Sequence, residues 1–264
     1  MSRGAALATN LRVVRGLGMR SVRQTFRRPQ LIAPIVVFPT LLLAIQTGGA
    51  AAAVNLPGFP EVQSFLQFML AGAMMQSMML AGNSGGIALA VDIEMGFTDR
   101  LFAAPIPRFA IVLGRLAGTA VLGLFASIWF LLIGLIFGAE IEGGVAGALL
   151  AVALVTASAL AVGGLGAAIA LRTGSASVVQ GLFPLVLVLL FLSSAFFPVE
   201  LMIEPARTIA EYNPLSFVVE GVRGPIISGI DATDTLGAVA AILGIVVIGL
   251  TLSARALRHR LRVG

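Results

Sequence analysis

The chain of 264 residues contains no cysteine and no lysine, and its one histidine, His259, stands near the C-terminus. Each absence removes a class of chemistry. Without a thiol there is no Cys nucleophile, although the redox compartment stays open. Without lysine there is neither a Schiff-base amine nor the lysine of a phosphate-binding loop, so the chain cannot be its own Walker-type ATPase. One histidine makes neither a zinc site nor an imidazole relay. Charge is scarce too: 11% of residues are charged, where soluble domains carry about 25%. In its place stand 58% hydrophobic residues and a mean hydropathy of +1.04, which argue against a water-soluble globular fold. The 31 glycines suit close helix packing in lipid. All 17 basic residues are arginine and the isoelectric point is near 11.3, but their placement reads as membrane topology rather than nucleic-acid binding.

Between Arg28 and Glu61 lie 32 uncharged residues, and between Glu61 and Asp92 another 30. Each run exceeds the ~20 residues a helix needs to cross hydrocarbon. They predict spans at roughly 31–53 and 64–90, and the 24 uncharged residues 116–139 predict a third. From Gly143 to Val199 the single charge is Arg172, so two spans are expected there, joined by a turn at Arg172–Thr173–Gly174–Ser175. Residues 235–254 give the sixth. Fifteen of the 17 arginines fall on one side of this arrangement, while nine of the twelve acids fall on the other. Arginine-rich flanks stay in the cytoplasm, which predicts that both termini are cytoplasmic. The run ending at Ala51–Ala53 resembles a signal-peptide cleavage site, but its basic region is too long and no cleavage is expected.

Four segments are more than plain spans. Residues 1–28 contain no acid; on a helical wheel Leu7, Leu11, Val14, Val22 and Phe26 oppose Arg12, Arg20, Arg23 and Arg27, which predicts an amphipathic interfacial helix on anionic lipid. A disordered basic tail is the other reading. In the cytoplasmic stretch 92–108, Ile93, Phe97 and Leu101 recur every four residues beside Asp92, Glu94, Asp99 and Arg100, and Pro105 and Pro107 end the pattern. A solvated turn is one reading; a ridge covered by another protein accounts for the apolar side chains. The outer segment 196–230, broken by Pro198, Pro205, Pro214 and Pro225, is too charged to cross and too apolar for a plain loop. It predicts short re-entrant helices, with Glu220 and Arg223 spaced to pair. The second span carries five of the nine methionines. Met75, Met78 and Met79, with Asn83, form a candidate substrate wall, ordinary helix packing being the alternative. Gly114 with Gly118, and Gly134 with Gly138, are spaced for close helix contact.

Two stretches carry a resemblance to a known family. One is Glu94, Gly96, Phe97, Asp99, Arg100, Leu101, Pro105 and Arg108, followed by Val112, Leu113, Gly114 and Arg115. The other is Phe196, Phe197 and Pro198, followed by Tyr212, Asn213, Pro214, Leu215, Glu220 and Arg223. Over nearly the whole chain the sequence resembles the ABC type 2 transporter permeases, in particular the daunorubicin-resistance-like exporter subunits. The implied fold is an all-α integral membrane protein: an interfacial helix at 1–28, then a six-span permease domain at 29–264. The resemblance further implies a multi-pass place in the inner or plasma membrane and a second permease copy or relative. A separate nucleotide-binding subunit would hold ATP and Mg, with no cofactor, metal or nucleic acid on this chain. Glu94, Gly96, Phe97, Asp99, Arg100 and Leu101 would couple to the ATPase, and Phe197, Asn213, Pro214, Glu220 and Arg223 would form an outer gate.

The expected function is export of a hydrophobic or amphiphilic molecule, a drug or lipid, with a lipid-linked polysaccharide or other glycolipid as the alternative cargo. A secondary transporter is the other alternative, but it would need ionisable groups at mid-span and the sequence has none. An integral membrane enzyme would need a constellation that the scattered acids do not make. The topology is testable because the chain is naturally free of cysteine. Ser2→Cys should react with an impermeant maleimide only after the membrane is permeabilised, and labelling in intact cells would refute cytoplasmic termini.

Overall fold

In hydrocarbon a backbone N–H finds its partner only within the protein, so the long uncharged runs become long helices. The computed structural model describes residues 3–27, 29–98 and 108–263, with side chains over 12–27, 30, 32–98 and 112–256. Every regular element among them is helical. In chain order these are α1 (Arg3–Phe26), α2 (Pro29–Ala50, extended by a 3-10 turn to Asn55), α3 (Phe65–Glu94), α4 (Arg108–Ile136) and α5 (Gly144–Thr173). Then follow α6 (Ala176–Gly181), α7 (Phe183–Phe191), α8 (Ala206–Tyr212), α9 (Pro214–Ile227) and α10 (Ala232–Val263).

Among the described residues five helices are long and apolar enough to cross a membrane: α2 with its 3-10 extension, α3, α4, α5 and α10. The stretch expected as a fifth span differs. It is two short helices, α6 and α7, parted at Leu182 just ahead of Pro184, and the chain leaves helical geometry after Phe191. The turn before it is built as its sequence suggests, with Gly174 at φ +65° closing α5.

Helix α3 is the axis. Its apolar window is 89% buried, against 22% for α2 and 17% for α10, and α2, α4, α5 and α9 pack around it. Glycine permits the tightest crossing: a Cβ on Gly86 would lie 2.7 Å from the Gly166 Cα on α5, and one on Gly82 would lie 2.7 Å from Val162. The spacing at Gly114 and Gly118 serves α1 instead, whose Leu17, Ser21 and Thr25 sit against those glycines. Gly134 meets Leu70, whereas Gly138 stands in the turn beyond α4 at φ +84°. Helix α1 thus docks by a small and polar face, Gly18, Ser21 and Thr25, while Met19 and Phe26 remain exposed.

Prolines inside helices leave carbonyls free, and neighbours take them up. Pro39 has no N–H for the Ile35 carbonyl, and the Ser77 hydroxyl on α3 donates to it at 2.7 Å. Large apolar side chains of α2, α4, α7 and α10 face outward, Phe38, Leu132, Leu185 and Leu243 among them, as lipid requires. The α3–α5 crossing gives a direct test. Gly86→Val meets backbone that cannot rotate away, so it should cost about 3 kcal/mol or more. Gly48→Val on α2, with nothing within 4 Å, should be tolerated; monodispersity and thermal unfolding in detergent would read the difference.

Candidate functional site

An apolar cavity of about 480 Å³ lies beside α3, walled by Met79, Asn83, Val162, Ile169 and Ile245 with the inner faces of α6 and α7. The broken helix supplies much of this lining: Val179, Phe183, Val186 and Leu189 all reach it. At one end it is bordered by Ile209 and Tyr212 of α8 and by Asn213–Leu215 at the start of α9. The structure therefore brings Met79 and Asn83 to one wall; Met75, Met78 and Met79 are all fully buried in the packed core, and Met75 and Met78 do not border the cavity.

A second cavity, about 690 Å³, opens on the side where α3, α5 and α10 begin. The two are separated by α8 and the first turn of α9, which present alternate residues to each. Ile209, Tyr212 and Leu215 face the apolar cavity, whereas Ala210, Glu211 and Ser216 face the second. This partition is pinned by one side chain. Asn213 caps α9 by accepting the Leu215 N–H at 2.9 Å, and its Nδ2 donates to the carbonyls of Leu189 (2.7 Å) and Leu192 (3.1 Å). Those carbonyls lie where α7 ends, so Asn213 satisfies both the end of one helix and the start of another. Pro214 occupies the following helical position, where its missing N–H costs nothing.

Nearly three turns further along α9, Arg223 does similar work. Its Nη2 donates to the carbonyls of Ser194 (2.7 Å) and Ala195 (3.1 Å), its Nη1 pairs with Glu220 at 2.6 Å, and its guanidinium lies 4.1 Å over the Phe68 ring. Burial pushes its pKa below the ordinary value while Glu220 and Glu200 raise it; a guanidinium stays charged regardless. Phe197 is 60% exposed and lines neither cavity.

At the opposite end, Asp92 pairs with Arg115 at 3.1 Å, joining α3 to α4. Arg115 also donates to Gln24 of α1 (2.7 Å) and to the Ala88 carbonyl (2.6 Å). The Glu94 carboxylate accepts the Ala176 N–H at 2.7 Å, capping α6. The expected continuous ridge is interrupted: α3 stops at Glu94, and Gly96 takes φ +65°. Ile93 is buried, and Phe97 is half-buried with Arg20 of α1 3.8 Å above its ring. Asp99, Arg100 and Leu101 lie outside the described residues.

A family model described as ABC-2 type transporter matches residues 12–227. The chain belongs to that family. It is 28% identical over 199 residues to the daunorubicin resistance ABC transporter permease protein DrrB1 of Streptomyces coeruleorubidus, covering 74% of this chain and 68% of the relative. It is also 28% identical over 216 residues to the putative transport permease ycf38 of Porphyra purpurea, covering 80% of this chain and 72% of that one. Membership makes this an ABC-2 permease, a transmembrane subunit of a transporter.

Several anchoring residues of this ABC-2 permease escaped sequence reasoning. Gln67 donates to the Glu140 and Ile226 carbonyls, and Gln63 reaches the carboxylates of Glu140 and Glu142. These partners are more than 70 residues away, beyond any local pattern. Glutamines at the start of a span were the available hint. The role of Asn213 is separable by substitution. Asn213→Asp keeps the cap acceptor but loses both donors, and should cost about 1–3 kcal/mol for the two orphaned carbonyls. Asn213→Ala loses the cap as well, for about 1 kcal/mol more. Thermal unfolding in detergent would measure both, and a stable Asn213→Asp variant would show that the carbonyls have other partners.

Proposed function

We propose that this chain is the membrane-spanning permease of an ATP-driven exporter that moves a hydrophobic or amphiphilic molecule out of the cell, with hydrolysis supplied by a separate nucleotide-binding subunit. The observation that carries the reading is the apolar cavity, drug-sized and bordered at one end by the thin partition of α8 and the start of α9. The name of the Streptomyces relative supports a drug as cargo. In this reading both termini are cytoplasmic, α6 and α7 complete a sixth crossing together with the irregular segment after them, and α8 and α9 dip in from the outer face.

The route follows from the chemistry of the walls. An apolar molecule loses little on leaving lipid for the apolar cavity, because both environments are apolar. Passage requires the partition at 209–216 to yield, and its hold is the polar contacts of Asn213. The segment around Glu94 to Leu101 receives the ATPase, and Glu94 carries that contact to α6, whose next turns line the cavity. A second permease copy or a relative covers part of the outward apolar surface, and lipid covers the rest.

Filling the cavity tests the route. Val186→Trp with Ile169→Trp should lower ATP-dependent uptake of bulky apolar dyes into inside-out vesicles about tenfold or more, while the ATPase subunit still co-purifies. Unchanged uptake would move the path elsewhere, and failure of any nucleotide-binding subunit to co-purify in stoichiometric amount would reject the ATP-driven reading.

A further inference from the structure

The second cavity carries more acid than its structure accounts for. Glu61, Glu200, Glu211, Glu220 and Asp234 border it, against one cation, Arg223. Glu220 is paired with Arg223 and Glu211 with Arg207. Among the described residues Glu61, Glu200 and Asp234 make no salt bridge. The five come from separate elements: the segment before α3, the 3-10 turn Val199–Leu201, and α8, α9 and α10. Their convergence is therefore a product of the fold, not of one acidic run.

A second observation points to a ligand. Ser194, 1% exposed, belongs to the cavity wall, and its Oγ has no hydrogen-bond partner; the Nε of Arg223, 5% exposed, has none either. A buried donor left unpaired costs about 1–3 kcal/mol, which a group brought by a ligand would recover. Phe217, 47% exposed, adds apolar wall. Among the described residues no three carboxylates come together as a metal site, so the acids are spread as a field rather than gathered around a point. Carboxylates bordering a low-dielectric recess concentrate cations there.

We propose that this cavity binds an amphiphilic organic cation. A protonated amine sits among Glu61, Glu200 and Asp234, the apolar body lies on Phe217, and an oxygen of the ligand meets Ser194 and the Arg223 Nε. The inference deepens the export reading and rests on it: of the hydrophobic and amphiphilic molecules, those bearing an ammonium group are retained beyond the partition before release.

Binding to the purified full-length chain in nanodiscs tests this without the ATPase. Fluorescence anisotropy would compare rhodamine 6G, a cation, with fluorescein, an anion of similar size. The cation should bind at least tenfold tighter. Glu200→Gln with Asp234→Asn should weaken it about fivefold and leave fluorescein unweakened. Thr233→Lys, at an exposed position of the same wall, should act in the same direction without removing any carboxylate. Equal binding of the two dyes, or cation affinity unmoved by both variants, would overturn the proposal, as would displacement of the dye by micromolar Ca²⁺ or Mg²⁺, which would make this an inorganic-cation site. Cation preference with no ATP-dependent efflux would sink the exporter reading alone. Efflux without cation preference would sink only this one.

Discussion

The structure depends on one constraint: a carbonyl released by a helix break in an apolar setting must be met by another part of the protein. The largest break follows Phe191. Residues 192–198 are not helical, yet Ser193, Ser194, Ala195 and Phe196 are each no more than 3% exposed. The carbonyls of Ser194 and Ala195 are taken by Arg223 and those of Leu189 and Leu192 by Asn213, while the Ser194 N–H donates to the Ser216 hydroxyl. All three side chains belong to the start or body of α9, so the break dictates where α9 lies. Helix α9 then offers its own terminal carbonyls, Pro225 and Ile226, to Gly143, Glu142 and Gln67. One break thus organises the whole end of the molecule where the cavities meet.

The same constraint explains why the most buried helix is the least hydrophobic of the candidate spans, at a mean hydropathy of 1.3 against 1.8 to 2.5 for the others. Lipid tails are as apolar as leucine, so no hydrophobic force selects which residues turn inward. Close approach and hydrogen bonding select them instead. Helix α3 therefore presents Gly82, Gly85 and Gly86 to its neighbours and gives Ser77 to α2, while α10 and α2 leave their leucines to the outside.

Much of the fold was legible because charge is excluded from hydrocarbon: the gaps between charged residues marked α2 to α5 and α10. The pairing of Glu220 with Arg223 followed from helical spacing and is present. Other features were hidden by the same physics. Met75, Met78 and Met79 formed a candidate substrate wall with ordinary helix packing as the alternative; all three are fully buried among the helices that wrap α3, and of them Met79 also borders the apolar cavity. Pro184 stands at the start of α7, where a proline is compatible with a continuous helix, and only the non-helical backbone beyond Phe191 shows where the helix stops. The bonds from Arg223 to Ser194 and Ala195 span nearly 30 positions of chain, so no periodicity could reveal them. The ridge at Ile93, Phe97 and Leu101 was read with a helical period through Gly96, a residue whose freedom at positive φ ends that period.

The shortness of α7 is what links the two ends of the cavity. From Ala176 to Phe191, at 1.5 Å per residue, the α6–α7 pair is about 24 Å long, less than the ~30 Å of hydrocarbon. Little more than one further helical turn, about 6 Å, would close the gap and bond the carbonyls at the end of α7 within the helix. Leu189 and Leu192 would then have nothing to offer Asn213, and α8 with the first turn of α9 would be held only by packing. Because α7 stops early, its last carbonyls hold the partition over the apolar cavity, while the first N–H of α6 is held by Glu94 at the other end. The wall of the cavity is therefore fastened at one end to the residue where α3 finishes and at the other to the residue that pins the partition. A displacement of either fastening changes the same wall.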